Sequence, residues 1–182
     1  FHMGLAHPEW VKSDGAVRWL AASMDGVGGL VASLVASLVA SLVTSLVFHQ
    51  DGVIVSQSPE ILWLRDTDGD DRADQRTVLF HGFGYKDTHA VVSNLRWGLD
   101  GWIYATQGYS GNDSRNITGR DSTGKDGKDF GHIGNGLFRF RPDGSAIEMI
   151  SAYGSNTWGL DFTWDGELFF TMANGAHLRH VV

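Results

Sequence analysis

The chain contains no cysteine, only three prolines, and fewer basic than acidic residues. Without cysteine it can form neither a disulfide nor a thiolate metal site, and it cannot attach a c-type haem covalently. Its 14 lysines and arginines stand against 21 aspartates and glutamates, which gives a net charge of −7, and the basic residues form no cluster. Because nucleic-acid binding depends on clustered positive charge, we expect no nucleic-acid partner.

Glycine and aromatic side chains, in contrast, are plentiful. The 182 residues include 24 glycines and seven tryptophans, with 42% hydrophobic and 19% charged residues. This composition is typical of a globular protein, and the length suits one domain. The many glycines predict tight turns between short elements.

One phrase occurs three times: a leucine, an aromatic residue two positions later, and Asp-Gly three positions after that. It reads SLVFHQDGVIVS at 45–56, NLRWGLDGWIYA at 94–105 and GLDFTWDGELFF at 159–170. Runs rich in β-branched and aromatic residues on both sides of Asp-Gly predict a β-hairpin. A second strand–turn–strand pattern follows the first two copies, at 60–83 and 135–153.

Four short strands in each repeat predict an all-β fold, in which four-stranded antiparallel sheets form the blades of a β-propeller. We place blades at 44–88 and 89–153 and a partial blade at 154–182, which makes a partial ring of about two and a half blades. An antiparallel sandwich is the alternative, although a sandwich does not require one repeated phrase. Because closed propellers have four or more blades, three alternatives stay open: a longer protein, self-association that completes the ring, or a different fold.

Residues 1–43 form a separate N-terminal segment with a low-complexity VASL repeat. The stretch at 30–47 is uncharged and long enough for a membrane span, but anchoring Lys/Arg or Trp/Tyr residues do not lie close on both sides. We therefore favour a helical or strand-like spacer over a membrane span, with a Leu-Val surface that promotes self-association. The stretch WVKSDGAVRWLAA, at 10–22, is a degenerate match to the hairpin phrase.

Carboxylates alternate along DTDGDDRAD, at Asp66, Asp68, Asp70 and Asp74. They occupy positions 1, 3, 5 and 9 of a calcium loop, in which oxygen atoms converge on a hard cation. Two positions differ from that pattern, because Asp71 replaces the usual glycine and Thr77 replaces the usual glutamate. Two interpretations stay open: a structural calcium site between two strands, and a solvated acidic turn.

His89 precedes the second hairpin phrase, within KDTHAVVSNLRWG. In a propeller this position lies at a rim facing the central channel. Histidine has a pKa suited to a general base, and Asp87, two residues earlier, can orient the ring. A lone histidine is more often structural, so the catalytic and structural interpretations both remain.

Several motifs in order resemble a known family: PEILWLRDTDGDDRADQRTVLFHGFG, THAVVSNLRWGLDGWIYATQGYSG, FRFRPDGSAIE and ANGAHLRHVV. They closely resemble large bacterial proteins named membrane-bound dehydrogenases, from about Thr44 to Val182. That family joins a propeller to a cytochrome c-type haem domain and is generally exported, which implies a periplasmic or extracellular location. Its propeller is distantly similar to quinoprotein glucose and sorbosone dehydrogenases.

This resemblance implies hydride transfer from a C–OH group of a sugar or alcohol to pyrroloquinoline quinone, with His89 as the base that takes the hydroxyl proton. The quinone is polyanionic and needs converging cations, for which the chain offers Arg96, Arg115 and Arg120. We expect the isolated chain to be inactive, because the cofactor ligands lie mostly in blades that it lacks. The alternative is a non-catalytic propeller module for binding or assembly, with calcium in the Asp loop.

Overall fold

The computed structural model of the protein describes residues 43–121, 123–175 and 177–182. Residues 30–42 of the predicted spacer and the degenerate hairpin at 10–22 lie outside the described residues, whereas the end of the spacer belongs to strand Ser45–His49. Within them, the fold is all-β, with antiparallel strands in three sheets and one short 3-10 helix, Tyr109–Asp113. In the part of the chain that is described, no helix is long and apolar enough to cross a membrane.

The strands are short and follow one another closely along the chain. In order they are β1 (Ser45–His49), β2 (Gly52–Gln57), β3 (Glu60–Arg65), β4 (Gln75–His81), β5 (Val92–Trp97), β6 (Ile103–Gln107), β7 (Asn116–Arg120), β8 (Asp126–His132), β9 (Gly136–Phe140), β10 (Ile147–Ser151), β11 (Thr157–Phe162), β12 (Leu168–Met172) and β13 (Arg179–Val181). The first sheet has the order β1-β2-β3-β4-β7-β8, the second β10-β9-β6-β5 and the third β11-β12-β13. Neighbours in the chain are therefore usually neighbours in a sheet.

The three predicted Asp-Gly hairpins are confirmed as β1–β2, β5–β6 and β11–β12. The two further strand–turn–strand patterns are also confirmed, as β3–β4 and β9–β10. The turns are not all alike. In β1–β2 the left-handed residue is Gln50, with a φ of 52°, whereas in β5–β6 it is Gly101, with a φ of 75°. One sequence phrase thus supports two turn geometries.

The sequence patterns did not predict the hairpin β7–β8. After β6 the chain leaves the second sheet, forms this hairpin at the edge of the first sheet, and returns to pair β9 with β6. The contact between β4 and β7 is short, with Phe80 opposite Gly119 and His81 opposite Thr118. This insertion explains why the second and third Asp-Gly turns are further apart in the chain than the first and second.

Buried apolar side chains fill the spaces between the sheets. The main core lies between the first and second sheets and includes Ile54, Ile61, Phe80, Ile103, Phe138 and Phe140. A second cluster covers the opposite face of the first sheet, with Val53, Val55, Leu62 and Leu64. A third lies between the second and third sheets, with Tyr104, Leu137, Leu160, Leu168 and Phe170. Strand β2 contributes to two of these clusters because alternate side chains point to opposite faces.

The first strands of the three sheets lie side by side. Strand β1 contacts β5, where the backbone N–H of Leu95 donates to Ser45 Oγ over 2.9 Å. Strand β11 contacts β5 and β6, and the rings of Tyr104 and Phe162 pack edge to face with centres 5.0 Å apart. The second sheet therefore meets the first sheet and the third sheet through their Asp-Gly hairpins.

Candidate functional site

The loop between β3 and β4 brings together three of the four predicted calcium ligands. One carboxylate oxygen from each of Asp66, Asp68 and Asp70 lies within 4.8 Å of the others. The loop is exposed, so the three carboxylates are accessible from solvent. Oxygen donors at this spacing match the ligand preference of Ca²⁺, which takes six to eight oxygens.

Backbone donors hold the first of these carboxylates in place. Asp66 accepts hydrogen bonds from the backbone N–H groups of Gly69, at 2.7 Å, and Asp71, at 2.9 Å. Asp71 has a φ of 67°, the left-handed conformation that glycine usually supplies at this position. Aspartate tolerates this conformation better than most residues, so the loop forms its tight turn despite the substitution noted in the sequence.

Asp74, the fourth predicted ligand, lies at the base of the loop. Its carboxylate accepts hydrogen bonds from the backbone N–H of Thr67, at 2.9 Å, and from the Thr67 hydroxyl. Its own backbone N–H donates to the carbonyl of Arg65. Asp74 therefore closes the base of the loop and does not join the group of three carboxylates. Thr67, which holds it there, was not identified from the sequence.

The crowded carboxylates differ in acidity. Desolvation raises the pKa of Asp66, but the backbone donors of Gly69 and Asp71 outweigh it, so this pKa lies below its ordinary value. The backbone N–H of Asp70 lowers the pKa of Asp68, but repulsion from the Asp70 carboxylate, desolvation and Asp66 together raise that pKa above its ordinary value. Like charges at this distance make the ionised form of Asp68 costly. A bound divalent cation would remove that cost.

The predicted base, His89, lies in the loop that enters β5. Its Nδ1 atom is 3.4 Å from Asp87 Oδ1, and the same oxygen accepts the backbone N–H of His89. The carboxylate therefore stands beside one ring nitrogen and leaves Nε2 free of it. The imidazole side chain is 93% exposed, so no pocket encloses it.

A buried serine anchors this loop. The backbone N–H of Asp87 donates to Ser110 Oγ at 3.0 Å, and the Ser110 hydroxyl donates to the Asp87 carbonyl at 2.8 Å. The backbone N–H of Ser110 bonds to the carbonyl of Ala90. Ser110 thus fixes both ends of the short segment that carries His89. Nothing in the sequence distinguished Ser110 from other loop serines, because its partners lie 20 or more residues away.

The three arginines proposed for a polyanionic cofactor lie apart. Arg96 is exposed on β5 in the second sheet, whereas Arg115 and Arg120 belong to the hairpin added to the first sheet. Arg120 pairs with Asp126 across that hairpin at 2.9 Å. Arg115 and Arg120 are separated by five residues of extended chain, or about 16 Å. Arg96 is therefore carried by a different sheet from Arg115 and Arg120.

Comparison with protein families identifies a match over most of the chain. The model of a family described as "Domain of unknown function (DUF7133)" matches residues 17–182, which is most of the chain. No curated protein matches the sequence.

Proposed function

The chain belongs to the DUF7133 family, and we propose that it is a propeller-type module whose Asp loop binds calcium. The observation that carries this proposal is the convergence of Asp66, Asp68 and Asp70 within 4.8 Å. Calcium would join these three carboxylates and rigidify the connection between β3 and β4, since Ca²⁺ binds oxygen ligands in flexible geometries. Its role in this proposal is structural, because the loop belongs to an outer hairpin.

The propeller arrangement is supported by the way the sheets are built. In a propeller each blade is a four-stranded antiparallel sheet whose first strand lies nearest the axis. Strands β1 to β4 follow this order, and β5, β6, β9 and β10 repeat it after the inserted hairpin is set aside. The first strands β1, β5 and β11 are neighbours, which is the expected arrangement around an axis.

Closure of the ring by copies of this chain is a part of the proposal that solution mass can test. Sedimentation equilibrium of the 182-residue chain would give a multiple of 19.9 kDa if partial rings combine. A well-folded monomer would contradict closure by copies of itself.

Calcium binding can be tested by titration and by thermal unfolding. At a calcium concentration well above Kd, we expect Tm to rise by about 2–6 °C, because the ion binds the folded loop and not the unfolded chain. The double variant Asp68→Asn/Asp70→Asn should lose both the heat of binding and the shift in Tm. Asp121→Asn is the matched control, because Asp121 lies in another exposed turn and should leave calcium binding unchanged. An equal shift in the double variant would contradict the proposal.

A second candidate function is supported by the contact between Asp87 and His89. A carboxylate beside Nδ1 stabilises the imidazolium that forms when Nε2 takes a proton, as a general base on a sugar or alcohol hydroxyl requires. Because the candidate arginines lie on two different sheets, this proposal has parts of a larger assembly complete the site for the electron acceptor. A cytochrome c-type domain in an exported protein is the redox partner proposed for that assembly.

Quinone-dependent dye reduction separates the two candidates. We expect the isolated chain to be inert with quinone and a sugar or alcohol, while its melting responds to calcium. Activity that disappears in His89→Ala but persists in His132→Ala would instead favour the dehydrogenase. His132 is a suitable control because it lies on β8, in the inserted hairpin.

A further inference from the structure

Two Asp-Gly turns expose large apolar side chains at equivalent positions. Leu99 in the β5–β6 turn is 83% exposed, and Trp164 in the β11–β12 turn is 93% exposed. Each immediately precedes the aspartate of its turn, Asp100 or Asp165. The two turns also have equivalent hydrogen bonds. In each turn the glycine N–H donates to the carbonyl three residues earlier. Neither turn needs an apolar residue here, because this type of turn accepts most side chains.

The two exposed side chains belong to one surface. Leu99 lies against the β11–β12 turn, since a Cβ built on Gly166 would stand 3.1 Å from Leu99 Cδ1. Trp164 is two residues before that glycine. We call Leu99, Trp164 and Asp165 the turn patch. Contiguous exposed apolar surface bordered by polar groups is typical of an interaction site.

The second sheet shows how a turn aspartate is normally neutralised in this molecule. Asp100 forms an ion pair with Arg139, with Oδ2 and Nη1 2.9 Å apart. The Arg139 guanidinium also lies over the ring of Trp102, 4.6 Å from its centre. Arg139 therefore contacts the carboxylate of Asp100 and the indole of Trp102 at the same time. Both contacts favour arginine, whose planar cation pairs with carboxylates and stacks on aromatic rings.

The third sheet has no such arginine at the equivalent position. Arg139 stands opposite Tyr104 in the β6–β9 pair, and the corresponding residue opposite Phe169 in the β12–β13 pair is His180. His180 contacts Glu167 and stacks on Phe169, with ring centres 4.7 Å apart. It is therefore already engaged elsewhere.

Asp165 consequently lacks a cationic partner among the described residues. Its Oδ1 atom accepts a hydrogen bond from the hydroxyl of Thr163, within the same turn. The indole of Trp164, which is almost fully exposed, carries no cation over its ring in the described part of the chain. A free carboxylate and a free indole thus adjoin each other on one turn.

We propose that the turn patch binds an arginine side chain in an extended basic segment of a partner protein. The guanidinium would stack on Trp164 and pair with Asp165, as Arg139 does with Trp102 and Asp100, and its methylene stem would lie on Leu99. Charged hydrogen bonds of this kind are roughly twice as strong as neutral ones. The net charge of −7 favours the approach of a basic segment over an acidic one.

The test uses the full chain and a short peptide in which two arginines are separated by glycine. A matched peptide carries citrulline, which has nearly the same shape but no charge, in place of each arginine. Binding is followed by NMR through the indole N–H signal of Trp164, assigned by comparison with Trp164→Phe. We expect this signal to shift with the arginine peptide and the citrulline peptide to bind at least about tenfold more weakly. Raising the salt from about 50 to 500 mM should also weaken binding of the arginine peptide.

Variants locate the binding surface. Trp164→Ala and Asp165→Asn should each weaken binding of the arginine peptide at least about fivefold, measured through the remaining shifted signals. Asp143→Asn is the matched control, because the β9–β10 turn at 141–144 has the same hydrogen bonds and a Pro-Asp-Gly sequence. It should leave Kd within about twofold. The dispersion of each spectrum reports whether the variant is folded.

Several outcomes would overturn the proposal. Equal binding of the two peptides would mean that charge is not recognised. An unchanged Kd in both Trp164→Ala and Asp165→Asn would place binding elsewhere. If a neutral oligosaccharide shifts the Trp164 signal and the arginine peptide does not, the patch recognises sugars. If Trp164→Ala instead converts a dimer to a monomer, its occupant is a second copy of this chain.

Discussion

At the scale of single residues, His49 shows how packing controls protonation in this protein. Its ring lies between two indoles, with centres 5.3 Å from Trp63 and 5.8 Å from Trp97. Burial in this position lowers the pKa of His49, and the nearby carboxylates of Asp51 and Asp143 only partly oppose the effect. The folded protein therefore prefers the neutral imidazole.

The free energy of unfolding should consequently fall as the pH drops from about 7 to 5. The folded pKa of His49 lies below the ordinary value of 6.5, so the unfolded chain takes up the proton first. The stabilisation is complete above pH 6.5 and is lost as the pH falls towards the folded pKa. Urea unfolding at pH 7 and 5 should show wild type losing about 0.5 kcal/mol more than His49→Gln, a modest amount because the ring is only partly buried.

Equal losses in wild type and His49→Gln would show that His49 does not titrate differently in the two states. His81→Gln provides a control for the substitution itself, because His81 is exposed at the end of β4.

At the scale of secondary-structure elements, the inserted hairpin β7–β8 approaches β4 closely at Gly119. A Cβ on Gly119 would lie 2.6 Å from the Leu79 carbonyl oxygen and 3.0 Å from the Phe80 ring. Only glycine therefore lets β7 reach β4 in this register. On the outer side, Phe130 packs edge to face on Phe80, with ring centres 5.6 Å apart.

Gly119→Val should detach this hairpin and leave the rest of the first sheet paired. The valine side chain cannot occupy the space next to Leu79, and we expect a loss of roughly 2 kcal/mol in stability. Hydrogen exchange followed by mass spectrometry should show faster exchange over 116–132 and little change over β1 to β3. Lys125→Ala, in the exposed turn of the hairpin, should exchange like wild type. Unchanged protection of 116–132 in Gly119→Val would contradict the inferred contact.

At the scale of the whole molecule, several exposed carboxylates accept hydrogen bonds that lower their pKa values. Protonation of these groups at low pH should therefore weaken the fold at several places. Hydrogen bonds from Thr67, Thr123 and Asn116 lower the pKa values of Asp74, Asp121 and Asp129, respectively. Asp74 and Asp121 belong to loops and Asp129 to β8, all within the first sheet and its inserted hairpin. Their ionised forms hold these segments in shape.

Stability should therefore decline as the pH falls below about 4. Each of the three pKa values is lower in the folded state than the ordinary value of 3.8, so the stabilisation is present above 3.8 and is lost as the pH falls through the folded values. Thermal unfolding between pH 5 and 3 should show a falling Tm. The triple variant Asp74→Asn/Asp121→Asn/Asp129→Asn should begin with a lower Tm and show a flatter pH dependence. An identical slope would contradict the assignment.

The local elements could be predicted from residue order. Runs rich in β-branched and aromatic residues on both sides of Asp-Gly predicted the hairpins β1–β2, β5–β6 and β11–β12, because strand propensity and turn residues are properties of adjacent positions. The same local pattern placed Asp66, Asp68, Asp70 and Asp74 on one loop. The hydrogen bonds between Thr67 and Asp74 could not be predicted, since they depend on how the loop closes.

Which hairpins join the same sheet, and which side chains then meet, depends on tertiary contacts. Hairpin β7–β8 crosses to the first sheet because Gly119 fits against Leu79, a contact between segments distant in the chain. The separation of Arg96 from Arg115 and Arg120 likewise follows from which sheet each strand joins. The uncompensated carboxylate of Asp165 became visible only when the register set His180 where the second sheet has Arg139. The residues that contact each hairpin are set by packing and not by sequence spacing. Equivalent residues of the repeated Asp-Gly hairpin therefore have different neighbours in each copy.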